Sequence, residues 1–335
     1  MTIKDIAKLS GCAVSTVSRA LNDHPDVSEE TKSRIKAIVA ENKFVPNTNA
    51  KHLKQQVSNN IIVVVKGSFN LFFATIIEHI QAEIGKAGYG AILHYYDESV
   101  NEVKMAQRLC REQKPKGIIF LGGEPENFRK HFSAVDVPCV LATTSAENLS
   151  FPNLSSVSVN DREGGEMAVN YLIECGHSRI GVIGGCSEVS STSRMRLEGA
   201  RKSMEKHGIA FRPQWSKEGK FSLQDGYTLT KELLEQHPEI TGIFAMSDLM
   251  AFGAMRAIAE RGLTIPKDVS VVGYDGIEMT DYYMPALTTL RQPSGQLATL
   301  SVELLLDTIE RKKTSRHLSL SVELKAGASV SCPKK

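Results

Sequence analysis

From Asn60 onward the chain repeats one pattern: a short apolar run, a stretch with helical periodicity, then another apolar run. Residues 61–65, 91–95, 117–121 and 138–142 read as strands, with helical stretches at 73–87 and 100–113 between them. After 155–159 the pattern restarts. Strand-like 179–183, 242–245 and 269–272 then alternate with helices near 162–175, 194–207, 224–236 and 248–261. Parallel neighbours need a crossover connection, and a helix is the compact way to make one, so this alternation builds parallel sheets covered on both faces. Two sets imply an α/β chain with two doubly wound lobes, and a cleft between them at the carboxyl ends of the strands. With 335 residues, 41% of them hydrophobic and 23% charged, there is enough apolar surface for two or three cores and no signature of disorder.

The first sixty residues read differently, as three short helices. Thr2-Ile3-Lys4-Asp5 looks like a capping box, and Gly11 can supply the positive φ that a sharp turn needs. A second helix over 14–21 gathers Val17, Ala20 and Leu21 on one face and leaves Val14, Ser15, Ser18, Arg19 and Asn22 on the other. Ser28-Glu29-Glu30-Thr31 caps a third helix ending near Asn42. Ala7, Gly11 and Val17 supply the small crossing residue, the turn glycine and the apolar anchor that a helix-turn-helix requires. Such a unit lays its second helix in a major groove and reads base edges with the exposed residues near its start. Residues 1–59 carry nine basic against six acidic side chains, while the remainder is nearly neutral, so an anionic partner is expected at the head.

Thr2-Ile3-Lys4-Asp5-Ile6-Ala7, Thr16-Val17-Ser18-Arg19, Val27-Ser28-Glu29-Glu30-Thr31, and Pro46-Asn47 with Ala50 and Leu53 resemble the lac/galactose repressor family of bacterial transcriptional regulators, and the resemblance extends over nearly the whole chain. It implies a DNA-binding head at 1–58 with a hinge helix. A first effector-binding lobe is implied at 59–158 and 292–317, and a second at 159–291 and 318–335, both of periplasmic-binding-protein type. The chain should cross between the lobes three times, with a helix at 294–311 in the first lobe and 318–324 in the second. DNA contacts are implied for Thr2, Val14, Ser15, Thr16, Ser18, Arg19 and Asn22, and for Asn47, Ala50, Leu53 and Lys54 of the hinge, where Leu53 would wedge into a minor-groove step. Arg19 is expected on a guanine edge, a contact worth about 1–3 kcal/mol of discrimination. The family usually has Ser where this chain has Ala13, so the recognition helix loses a cap worth roughly 1 kcal/mol.

The resemblance also matches effector positions: Phe72 as a platform with Phe73 in the core, Arg196, Phe221, Ser247, Asp248 and Asp275. An Asp, an Arg and aromatic plates suit a polyhydroxylated ring, so a sugar is expected ahead of a purine or nucleoside; a phosphorylated carrier protein is a further alternative regulator. A twofold homodimer on a pseudo-palindromic double-stranded operator follows from the head. Rival readings are a solute-binding protein or a cytoplasmic sugar enzyme. The sequence holds no G-x-x-x-x-G-K-[ST], H-E-x-x-H or G-x-S-x-G, and its six cysteines include no C-x-x-C pair, so neither catalysis nor a metal or other cofactor is expected. Without a signal-peptide-like start or an apolar run of spanning length, a cytoplasmic location is expected and a membrane one is not.

Overall fold

The computed structural model describes residues 2–21, 23–42, 58–67, 70–311 and 313–333, and the chain divides into two units, Met1–Ser58 and Asn59–Lys335.

In the first unit α1 (Ile3–Ser10), α2 (Val14–Leu21) and α3 (Glu29–Glu41) surround one small core of Ile6, Ala7, Val17, Ala20, Val27 and Ile35. At the start of α1 the Thr2 amide and hydroxyl donate to Asp5 Oδ2 at 2.8 and 2.9 Å, so a free N–H at the helix end is satisfied from within. Gly11 closes α1 at φ 65°, the left-handed geometry that turns the chain into α2. Ser28 Oγ accepts the Thr31 amide at the start of α3. Burying Val17 and Ala20 fixes the rotation of α2 about its own axis.

The second unit holds two six-stranded sheets among the described residues. The first runs β11 (His317–Leu320), β5 (Leu154–Val159), β4 (Cys139–Ala142), β3 (Gly117–Leu121), β1 (Asn60–Lys66), β2 (Gly90–Tyr96), every pair parallel. Side-chain alternation splits β1 between two cores. Ile61, Val63 and Val65 pack with α4 (Leu71–Lys86) and α12 (Ser294–Arg311), while Ile62 and Val64 pack with α5 (Glu102–Gln113) and α6 (Pro125–His131). The second sheet runs β12 (Glu323–Lys325), β10 (Thr288–Arg291), β9 (Ser270–Asp275), β8 (Gly242–Ala245), β6 (Ile180–Gly185), β7 (Ser216–Gly219). Its pairs are parallel except β10 with β12. Its helices are α7 (Asp161–Glu174), α8 (Ser191–Lys206), α9 (Leu223–Gln236), α10 (Asp248–Glu260) and the short α11 (Met279–Tyr282).

The chain passes between the sheets after β5, after β10 and after β11. The last passage corrects the expectation that 318–324 belongs wholly to the second lobe. His317–Leu320 instead extends the first sheet, in parallel register with Ser156–Val159, where Leu318 and Leu320 pack against its core. Only Glu323–Lys325 reaches the second sheet.

Two helices of the second lobe cross with almost no gap, and glycine is the reason. A Cβ at Gly165 of α7 would stand 2.1 Å from the Arg196 carbonyl oxygen, and one at Gly199 of α8 would stand 1.9 Å from that of Arg162. The side chains thus removed let the two backbones meet and bring the second turn of α8 against the start of α7.

Candidate functional site

On the head, Val14, Ser15, Ser18 and Arg19 form the exposed face of α2, with Val14 42% exposed, Thr16 half-buried and Thr2 exposed at the start of α1. An apolar side chain held in solvent beside short hydroxyls and an arginine suits base edges and methyls in a groove better than it suits water. Helix α2 follows directly on Ala13, whose carbonyl accepts the Val17 amide at 3.0 Å and whose side chain can cap nothing. The expectations for Asn22, Asn47, Ala50, Leu53 and Lys54 lie outside the described residues.

In the lobes, the carboxyl ends of the two sets of strands face one another. Glu124, which follows β3, accepts the amide of Ser191 at the start of α8 at 2.8 Å. Lys220, which follows β7, is close enough to Asp97 and Glu98 of the first lobe to feel their charge.

The floor of the second lobe is a buried ionic cluster. Arg196 Nε donates to Asp161 Oδ1 at 2.7 Å, Nη1 donates to the Met246 carbonyl, and the guanidinium lies 3.6 Å from the centre of the Tyr274 ring. The glycine crossing of α7 and α8 makes this pair possible, since Asp161 opens α7 and Arg196 sits in the second turn of α8. Burial works against the guanidinium charge, but Asp161, Tyr274 and Asp275 hold it protonated beyond its ordinary range. Burial likewise raises Asp161, with Arg196 pulling the other way.

Asp275 ends β9 in the same cluster. It is 6% exposed, its Oδ1 accepts Gln292 Nε2 at 2.8 Å, and burial pushes its carboxyl up to about 7 while Arg196 restrains the rise. Its φ of 117° lies where side-chain-bearing residues seldom go, so the surroundings must hold it there. Asp248 does the holding. Its Oδ2 accepts the amides of Gly276 and Ile277 at 2.7 and 2.9 Å, and its Oδ1 accepts the Thr289 hydroxyl at 2.6 Å.

That arrangement corrects two expected effector contacts. Asp248 is fully buried and both its oxygens are taken by the loop it clamps, while Ser247 is the cap of α10, accepting the Met250 amide at 3.2 Å. Asp248 positions Asp275 through that loop, and Ser247 starts the helix that carries Asp248. Phe72 is a third correction: at 4% exposure it is core, on the same face of α4 as Ile76 and Ile80. Phe73, expected in the core, is the half-buried ring at this edge, packed beside Gly122 after β3 and lining a cavity of about 170 Å³ with Val65, Gly67, Asn70, Leu71 and Tyr95. Phe221 lies against Gly185 at the end of β6, next to Ser193. Arg196 and Asp275 therefore share one cluster, and Phe221 borders the same strand ends. Asp161, Tyr274 and Gln292 belong to the cluster too, although Asp161 reads in the sequence only as an acidic first-turn residue behind the Asn160 cap.

Comparison with known proteins fits both units. Residues 2–47 match the family "Bacterial regulatory proteins, lacI family", and residues 169–330 match the "Periplasmic binding protein-like domain". The chain is 37% identical over 331 residues to the HTH-type transcriptional regulator MalR of Clostridium butyricum, covering 97% of each chain. It is 32% identical to the HTH-type transcriptional repressor PurR of Haemophilus influenzae, covering 93% of this chain and 92% of that one. Among solved structures, a lac repressor dimer bound to operator and the anti-inducer ONPF superposes with a TM-score of 0.82 at 28% identity, over 99% of each chain. The transcriptional regulator CelR in complex with cellobiose superposes with a TM-score of 0.73 at 26% identity, over 98% of this chain and 99% of that one. With an exposed reading helix on a three-helix head and two wound lobes in the second unit, the chain belongs to the lacI family of bacterial regulatory proteins and is a DNA-binding transcriptional regulator.

Proposed function

We propose that this regulator is a homodimeric repressor, working in the cytoplasm where its operator lies, whose hold on a pseudo-palindromic operator is set by a sugar bound between the lobes. The observation that carries the reading is Asp275: a buried carboxyl at a strand end, in a strained backbone geometry, with Gln292 on one oxygen. A carboxylate fixed in this way accepts hydroxyls in a set direction, and strain of this kind concentrates at ligand clamps. Phe221 and Phe73 supply flat apolar faces for a sugar ring, and Arg196 acts chiefly by fixing the charge of the floor. The relative CelR, solved with cellobiose, favours a sugar, and relatives named as transcriptional regulators and repressors favour regulation over turnover.

The experiment is a panel of sugars, nucleosides and purines read by thermal shift and by operator binding in fluorescence anisotropy. A ligand at a hundred times its Kd adds about 2.7 kcal/mol to the folded state. A sugar that raises the melting point and changes operator affinity, with both effects lost in Asp275→Asn, is the expected result. A purine acting in its place overturns the choice of effector, and equal affinity for operator and scrambled DNA overturns the regulator.

A further inference from the structure

Helix α8 begins at the facing strand ends, and sixteen residues of aligned peptide dipoles make its start attractive to anions. Its first-turn donors have a carboxylate already, and that carboxylate comes from the other lobe. Glu124 Oε2 accepts the Ser191 amide at 2.8 Å, and Oε1 lies 3.8 Å from Arg194 Nη2. The loop carrying Glu124 is braced from beneath. Glu102, fully buried, accepts the Glu124 amide at 2.8 Å, Asn127 Nδ2 at 3.0 Å and Lys66 Nζ at 2.8 Å. In the same turn of α8 the Ser193 hydroxyl is fully buried without a hydrogen-bond partner, facing Gly185 and the Phe221 ring at the end of β6. Polar capacity is thus held open next to the place Glu124 fills.

We infer that Glu124 determines the charge class of the effector: it occupies the anion-attracting start of α8 and makes the cleft selective for uncharged polyols against phosphorylated ones. This rests on the reading of the cleft as the effector site. Three cations at these strand ends are paired internally: Lys66 with Glu102, Arg194 with Glu124, and Arg196 with Asp161. An incoming phosphate must displace Glu124 or lie against it, and a desolvated like charge is strongly disfavoured. A neutral hydroxyl meets no such conflict and finds the Ser193 oxygen.

The test uses the full-length chain and inorganic phosphate, titrated calorimetrically at constant ionic strength. Wild type is expected to give no saturable heat. Glu124→Ala frees the helix start and Arg194, and phosphate binding at least tenfold tighter than in wild type is expected; Glu124→Gln, nearly isosteric, shows the same direction. Arg194→Ala on the Glu124→Ala background removes the gain. In a second arm, the ratio of affinities for ribose 5-phosphate and ribose rises at least tenfold in Glu124→Ala. Phosphate binding equally well to wild type overturns the inference, as does a folded Glu124→Ala and Glu124→Gln pair with no gain. Failure of every sugar to bind would instead refute the effector site, and the phosphate arm would still decide the role of Glu124.

Discussion

Replacing Arg196 by Met removes the one cation in a buried group of three carboxyls, Asp161, Asp275 and Asp248, while keeping most of the volume. The Asp161–Arg196 pair is 4–6% exposed, so solvent screens it little. Breaking a buried pair by deleting one partner costs about 3–5 kcal/mol, because the other charge is left without compensation. That loss is large against the roughly 5–15 kcal/mol that holds a domain together. Asp161→Asn added to Arg196→Met should recover about 2–3 kcal/mol, the coupling of groups in direct contact. The pH dependence has a definite sign. Asp275 stands at about 7 against 3.8 for the free carboxyl, so between those values the native state holds a proton that the unfolded chain has lost, and stability falls as pH rises. Without Arg196 both Asp161 and Asp275 move further up, and each adds as much as ~1.4 kcal/mol per pH unit to that slope. The deficit of Arg196→Met should therefore be largest near pH 8 and shrink toward pH 5.5. Urea unfolding followed by tryptophan emission reports it directly, since Trp215 is the only tryptophan and is buried in the second lobe. A loss under about 1 kcal/mol at pH 8, or one that is the same at both pH values, would refute the account of the cluster.

Three other outcomes are expected. Arg19→Ala should weaken operator binding by about 1–3 kcal/mol and leave salt-sensitive binding to unrelated DNA nearly intact; an equal loss on both DNAs would make Arg19 a phosphate contact. Gly199→Ala would set a Cβ against the Arg162 carbonyl, and although Ala favours a helix by ~1 kcal/mol over Gly, separating two packed backbones costs about 1–3 kcal/mol, so a net fall in melting temperature is expected and a rise would contradict the close crossing. The effector response should strengthen as pH rises through about 7, where Asp275 ionises, and Asp275→Asn should flatten that profile.

Most of the scaffold was legible in the sequence because a parallel strand buried on both faces must be a run of apolar residues. All the runs named from 61–65 to 269–272 became strands, with ends within three residues of the expected ones. The strands without such runs escaped. Ser216–Gly219 is a polar edge strand held by β6 alone. Thr288–Arg291 carries no such run, yet Thr288 and Thr289 are fully buried, their hydroxyls bonded to the Gly327 amide and to Asp248. The exchange of Phe72 and Phe73 was readable in principle, since Phe72, Ile76, Ile80 and Ile84 follow the spacing of one helix face. The role of Asp248 was not. Its spacing from Ser247 says helix start, and only the fold brings Gly276, Ile277 and Thr289 to its oxygens. The same holds for Glu124, a polar residue before a proline whose partners stand 22 and 67 positions away.

The buried cluster also bears on how a ligand in the cleft could be felt elsewhere. Asp161 follows the first passage of the chain between the lobes, and Gln292 stands at the second. Through Arg196 and Gln292 the side chain of Asp275 is electrostatically or directly joined to both. Any group that alters the charge or hydrogen bonding of Asp275 thus acts on two of the three strands of chain that set the angle between the lobes. The clamp from Asp248 to Gly276 and Ile277 keeps the backbone of that loop from absorbing the change. A rigid loop, a buried charge and two attached crossings are the parts needed to convert ligand contact into lobe movement, whereas a flexible loop in the same place would dissipate it. Coupling between sites in such regulators has to supply only about 1–3 kcal/mol, less than the loss expected from Arg196→Met, so the cluster is strong enough to carry it without being broken.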